Sequence, residues 1–299
     1  MITLQNKHWQ VGVLPETGAS IAFGRIRHNE AWVDVMRPTP ESDYGNSSNC
    51  SSFIMMPWCN RIKNGVLRFE DQAYQLQTTK DDGTARHGDV RRRNWTVDLI
   101  DANHISMSLK SVDFADMNWP FAFSAHAEYW LDRQKFIWKL SIKNEDSRAF
   151  PTGFGHHPYF VKPVGANKPQ VQIPCSQYFD LTNYMATGAA VPLIDRVDFQ
   201  NLRELGDNEI NDVLTARKGS EPALMHYPAY GATLEMHSDA LFEHILLYAP
   251  QGKPFYAVEP MTNVSDGFNL FADHVAGSGV FVLQPGEEKA ATVEIITNT

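Results

Sequence analysis

Apolar and polar residues alternate along most of the chain. A two-residue period marks half-buried strands, whose side chains point in turn to opposite faces. FIWKLSIKN sets Phe136, Trp138, Leu140 and Ile142 on one face, with Ile137, Lys139, Ser141 and Lys143 on the other. TVDLIDANHISMSLKSVD predicts two strands around the turn Asp101-Ala102-Asn103, and VLRFEDQAYQLQ a second pair turning near Glu70-Asp71-Gln72. VFVLQPGEEKAATVEII predicts a hairpin broken at Pro285-Gly286. One helical pattern stands out, FQNLRELG at residues 199–206, with Gly206 as its stop. The segment 161–177, VKPVGANKPQVQIPCSQ, is rich in proline but too apolar for a tether, and is expected as a loop and edge-strand region. Many short strands with closely spaced turn signals predict an all-β sandwich or barrel. No internal repeat, low-complexity tract or linker divides the chain, so residues 1–299 are expected to form one domain.

Composition narrows the function classes. The 299 residues are 43% hydrophobic and 20% charged, which excludes gross disorder. A net charge of −9 gives no basis for a general nucleic-acid or anionic-membrane surface. The one dense basic run is Arg91-Arg92-Arg93. No apolar stretch approaches the roughly 18 to 20 residues of a membrane span, and MITLQNKHWQVGVLPETG lacks the features of a signal peptide. Cys50, Cys59 and Cys175 form an odd set without metal-type spacing, as expected of reduced thiols in a cytoplasmic protein.

Candidate chemistry falls where predicted strands end. In FYAVEPMTN an apolar run ends at Glu259, directly before Pro260. Apolar surroundings raise a carboxyl's pKa and make it a competent base, and Pro260 is expected to fix the chain's exit. GFGHHPYF holds two histidines, of which His157 is pushed toward an extended conformation by Pro158. Neighbouring residues on a strand face opposite ways, so one imidazole faces a ligand, and His156 is the better candidate for a core residue. Arg61 in PWCNRIKNG offers a planar fork to hydroxyls or a carboxylate. His87 in TARHGDVRRRNW precedes Gly88, which would let backbone approach a ligand. Asp212 interrupts the apolar pattern of NEINDVLTAR and could bind a hydroxyl. A metal site built from His87, one of the paired histidines and Glu259 lacks the HxH spacing that puts two imidazoles on one strand face. A glycosidase pair of Asp212 and Glu259 has no local spacing to support it.

Taken in order, NRIKNGVLRFEDQAYQL, RHGD followed by Trp95, GHHPYF and VEPMTN resemble the aldose 1-epimerase (galactose mutarotase) family, as does the opening LPETGASIAFGRI. The likeness runs from about residue 12 to 270. It implies a large antiparallel β-supersandwich with an open cleft and an isomerase that interconverts α and β hexose anomers by ring opening and reclosure. It further implies Glu259 as general base, His157 as general acid, and Arg61, His87 and Asp212 as sugar-binding residues, with no metal and no cofactor. Trp95, Trp119 or Phe160 would supply an apolar face to the sugar. Two departures bear on substrate: His87-Gly88-Asp89 runs into the three arginines, and Tyr159-Phe160 is followed by Val161-Lys162 rather than Asn-Leu. The arginines suit a sugar phosphate, as in hexose-6-phosphate 1-epimerases of the same superfamily. A non-catalytic carbohydrate-binding protein on the same fold is the other alternative.

Overall fold

The computed structural model describes residues 1–163 and 167–298. Among them, nine antiparallel strands form one sheet in the order Thr96–Ile100, His104–Lys110, Phe123–Asp132, Lys135–Asn144, Glu288–Thr297, Ala232–Ser238, Ala223–Tyr227, Gln170–Gln172 and Arg203–Glu204. A second sheet, of eight strands, is centred on Ile210–Arg217, His244–Ala249 and Phe255–Met261. The two pack face to face as a supersandwich. Tyr129 and Trp138 of the first share one core with Tyr256, Val258 and Leu247 of the second, and the Tyr227 and Tyr256 hydroxyls meet at 3.3 Å. A four-stranded meander, Ile2–Gln5 to Ala31–Asp34, adds Trp9, Val11 and Ile21 to that core. No helix among the described residues is long and apolar enough to cross a membrane.

The alternation dictates much of this. Phe136, Trp138, Leu140 and Ile142 are all at most 1% exposed. The other face is only partly open: Ile137 and Ser141 are buried while Lys139 and Lys143 reach outward. The turns at Asp101–Asn103 and Glu70–Asp71 join the strand pairs expected of them.

Four local expectations need correction. Residues 199–206 form no helix; Arg203–Glu204 pairs with Gln170–Gln172, and Phe199 and Leu205 are buried. Long-range pairing and burial outweigh a short helical pattern. The turn at Pro285-Gly286 is present, but its flanks do not pair with each other. Phe281–Leu283 pairs with Phe150–Thr152, and Glu288–Thr297 lies between two strands of the large sheet. Segment 161–177 supplies strands to both sheets, Gln170–Gln172 and Cys175–Phe179, and neither is an outermost strand; its residues 164–166 lie outside the described ones. Finally, Glu259 does not end its strand, which continues through Pro260 and Met261 between His244–Ala249 and Gly155–His156.

Candidate active site

The strand Phe255–Met261 is buried on both faces, and the pleat decides what each residue meets. Tyr256 and Val258 enter the core between the sheets, whereas Ala257 and Met261 join a second apolar cluster on the outer face with Phe53, Tyr159, Val213 and Leu246. Glu259 shares that outer face, opposite Leu246. There it lines the floor of a cleft of about 500 Å³ and is 1% exposed.

The same alternation separates the histidines. His156 turns inward, 4.6 Å from the Trp138 ring and 5.8 Å from that of Tyr129. Burial lowers its pKa to about 3, so it is a neutral core residue. His157 turns outward into the cleft and packs between the rings of Phe53 and Tyr159, at 4.6 and 4.5 Å. Its backbone N–H donates to Phe53 O at 3.0 Å, and Tyr159 N donates to Ser51 O at 2.7 Å, which fixes the segment.

Four predicted residues converge. His157 Nε2 lies 3.2 Å from Glu259 Oε1, although the two are not aligned as a hydrogen bond, and neither carboxylate oxygen has a protein hydrogen-bond partner among the described residues. The His87 ring stands edge-on to His157 at 5.3 Å. Arg61 completes the wall, its Nε on Asp82 Oδ2 at 3.0 Å and its Nη1 on Asn60 Oδ1 at 3.1 Å. Burial pushes the Glu259 carboxyl well above its ordinary value, opposed by the Arg61 charge. Burial likewise holds His157 well below its ordinary value, helped by Arg37, and His87 well below its own, helped by His157.

Backbone geometry aims these groups. Asn60 and His87 both adopt left-handed conformations, at φ 53° and 62°, and His87 N donates to Asn60 O at 2.7 Å. Gly88, at φ 66°, serves a different purpose from ligand approach: a Cβ there would overlap the Met56 carbonyl. That carbonyl accepts from Asp89 N at 3.0 Å, so Gly88 lets two backbone segments touch behind His87.

Asp212 is the predicted residue that the structure does not bring in. Its neighbours Ile210 and Leu214 pack into the core between the sheets, and Asp212 shares their face. Its carboxylate is held bidentately by Arg196, at 2.5 and 2.7 Å. Asn211, one residue earlier, lines the cleft instead. This also separates Asp212 from Glu259 as a carboxylate pair. Among the described residues no three His, Cys, Asp or Glu side chains are grouped to hold a metal ion.

The aromatic platform differs from expectation too. Trp95, Trp119 and Phe160 are all in the core, and the rings on the cleft are Phe53, Tyr159, Tyr184 and Tyr248. Tyr159 carried a signal, standing in the GHHPYF stretch beside His157; Phe53, Tyr184 and Tyr248 come from separate strands and loops with no local motif. Of the three arginines, Arg91 faces the cleft, and burial lowers its pKa to about 10.

A family model described as aldose 1-epimerase matches residues 1–295. Among curated proteins, the chain is similar to the uncharacterised protein YphB of Escherichia coli K12, 22% identical over 276 residues, covering 88% of this chain and 90% of that one. It is also similar to the uncharacterised protein YihR of the same strain, 23% identical over 225 residues, covering 74% and 72%. Among solved structures, a galactose mutarotase-like protein of Clostridium acetobutylicum superposes with a TM-score of 0.86 at 15% identity, covering 99% of this chain and 94% of that one. An aldose epimerase homologue from C. elegans gives 0.85 at 17% identity, covering 99% and 98%. At these identities the structures establish the fold.

Proposed function

The chain belongs to the aldose 1-epimerase family, and on that footing we propose that it interconverts the α and β anomers of an aldose by acid/base ring opening, with Glu259 and His157 moving the protons. The observation that carries this reading is the buried Glu259–His157 pair, 3.2 Å apart at the floor of the cleft, with both carboxylate oxygens free of protein donors.

Ring opening needs two proton transfers and no redox change. The anomeric hydroxyl loses its proton to Glu259 as C1=O forms. The C1–O5 bond breaks, and O5 takes its electron pair together with a proton from His157 Nε2. Rotation about C1–C2 turns the other face of the aldehyde toward O5, and the two transfers then run in reverse. The pair begins and ends with one proton, so the cycle closes. Burial makes the Glu259 carboxylate a stronger base than a free one and a His157 imidazolium a stronger acid than a free one, since it raises the carboxyl from 4.5 and lowers the imidazole from 6.5. His87, whose Nδ1 lies 3.2 Å from Met55 Sδ, offers its Nε2 to a sugar hydroxyl, Arg61 offers the Nη2 that Asp82 and Asn60 leave open, and Asn211 on the cleft wall offers an amide.

Proton NMR of anomer exchange on fresh α-glucose and α-galactose, in dilute buffer, tests the proposal. The parent is expected to accelerate exchange, and Glu259→Gln and His157→Asn each to lose about 100- to 10,000-fold in kcat. Sugar binding without acceleration by the parent would leave a carbohydrate-binding protein in its place.

A further inference from the structure

Two rings clasp His157, and each has a guanidinium against it. Tyr159 packs at 4.5 Å, and the Arg37 guanidinium carbon lies 3.8 Å from the Tyr159 ring centroid. Phe53 packs at 4.6 Å, and that of Arg91 lies 5.1 Å from the Phe53 centroid. Arg91 is the one of three consecutive arginines turned to the cleft. Arg93 holds Asp89 and Asp116, with Nε at 2.9 Å from Asp89 and Nη1 at 2.6 Å from Asp116, and Arg92 is exposed. Arg37 is placed differently: Tyr159 lines the cleft and Arg37 does not.

Backbone contacts fix Arg37 where it stands. Its N–H donates to Tyr159 O at 2.9 Å, its carbonyl accepts from Ser51 Oγ, and Tyr159 N donates to Ser51 O at 2.7 Å, so three segments lock together beside the ring. The guanidinium also lies 4.7 Å from the Phe255 centroid. Its Nη2 donates to Cys50 O at 2.6 Å and Ser48 O at 3.3 Å, and its buried Nε has no protein acceptor among the described residues. Asp43 attracts it from a distance, and no carboxylate of the described residues comes within 4 Å of it.

A guanidinium withdrawn from water without a carboxylate keeps its field, because neither solvent nor a countercharge cancels it. That field falls on His157. The two ring spacings put the guanidinium carbon within about 8 Å of the imidazole centre, with Tyr159 touching both. Other groups face the imidazole as well. The Glu259 carboxylate favours a proton there, the Arg61 and Arg91 charges oppose one, His87 is neutral, and the Tyr159 hydroxyl lies 3.5 Å from Nε2. Near Glu259, burial keeps Tyr248 and Cys59 protonated. On the cleft wall Arg86 is paired with Asp81 and Asp82, and Glu209 is exposed. After burial itself, Arg37 is the leading charge holding His157 below its ordinary value.

We propose that Arg37 is a positioning residue for proton transfer: from outside the cleft wall, across the Tyr159 ring, it makes protonated His157 a readier donor to the sugar's ring oxygen. This rests on the epimerase reading for the direction of that transfer. A nearby cation disfavours every proton that the His157–Glu259 pair takes up, so its removal raises both titration steps of the pair.

NMR titration of His157 in carbon-13 histidine-labelled protein reads those steps without turnover, the signal being identified by its loss in His157→Asn. Arg37→Met, similar in length but uncharged, should raise both steps, the larger rise being about 0.5 to 1.5 units for a unit charge at that distance. Arg37→Lys keeps the charge and should return them to within about 0.3 of a unit of the parent. The limbs of the pH profile for anomer exchange should move with the titration steps, and KM should stay within about twofold because Arg37 is not on the cleft wall. Should the Met variant fail to fold, Arg37→Gln keeps a donor for the Cys50 carbonyl and reads the same shift. Steps that stay within about 0.2 of a unit of the parent's overturn the proposal. So does a lysine variant that behaves as the methionine one does, or exchange slowed equally at every pH with its limbs in place. Shifted steps in a protein whose parent form catalyses no exchange sink the epimerase and keep the charge coupling. Exchange by the parent with unmoved steps in the variant does the reverse.

Discussion

Replacing Glu259 by Gln should alter the way stability depends on pH, and the sign follows from counting protons. In the unfolded chain Glu259 titrates near 4.5 and His157 near 6.5. Folding raises the first and lowers the second, so from the lowered imidazole value up to the raised carboxyl value the folded pair holds one proton wherever that proton sits. Between 4.5 and 6.5 the unfolded pair also holds one, and the pair adds no slope. Above 6.5 the unfolded pair holds none, so the parent's stability falls by about 1.4 kcal/mol per pH unit, as far as the raised carboxyl value. In Glu259→Gln only His157 titrates: the unfolded state holds the extra proton below 6.5, and stability rises with pH up to that point and is then level. Every other group cancels in the difference. The advantage of the variant over the parent should therefore grow by about 2.7 kcal/mol between roughly pH 5.5 and 7.5. Urea unfolding of both proteins at three pH values in that interval measures it. A difference that does not change with pH would refute the claim that Glu259 is buried at the cost of its ionisation.

Asp212→Asn should leave kcat/KM within about twofold, because the carboxylate faces Arg196 rather than the cleft, and should cost about 1 to 2 kcal/mol in urea unfolding, Arg196 being partly exposed. A selective rise in KM would return Asp212 to the sugar. Gly88→Ala should destabilise by more than about 3 kcal/mol, since it adds left-handed strain to overlap with the Met56 carbonyl, and should reduce anomer exchange by displacing His87. A melt and an exchange rate both close to the parent's would show that the contact relaxes freely.

The sequence by itself determined what local periodicity can encode. Alternation at 96–110, 66–75 and 135–144 specified strands and turns, because the pleat has a fixed period of two, although Thr96–Ile100 lies exposed at the edge of its sheet and turns no face to the core. The same rule assigned His157 and His156 to opposite faces, and the apolar run before Glu259 announced its burial. Partner choice was not legible. The turn at Pro285-Gly286 was plain, yet its two flanks pair with strands far away in the chain, Phe150–Thr152, Lys135–Asn144 and Ala232–Ser238, as no local signal can state. The helix Gly267–Ala272 is too short to show a period, and FQNLRELG became extended because burial and pairing outweigh a weak preference. Asp212 shows the limit most sharply. Its neighbour Asn211 enters the cleft and it does not, because a register shift of one residue exchanges the faces of a strand, and register is set by Leu247 and Tyr248 across the sheet. Charge follows the same logic: three consecutive arginines have one composition, and only their placement against Asp89, Asp116, open solvent or the cleft wall decides which one is left without a counterion.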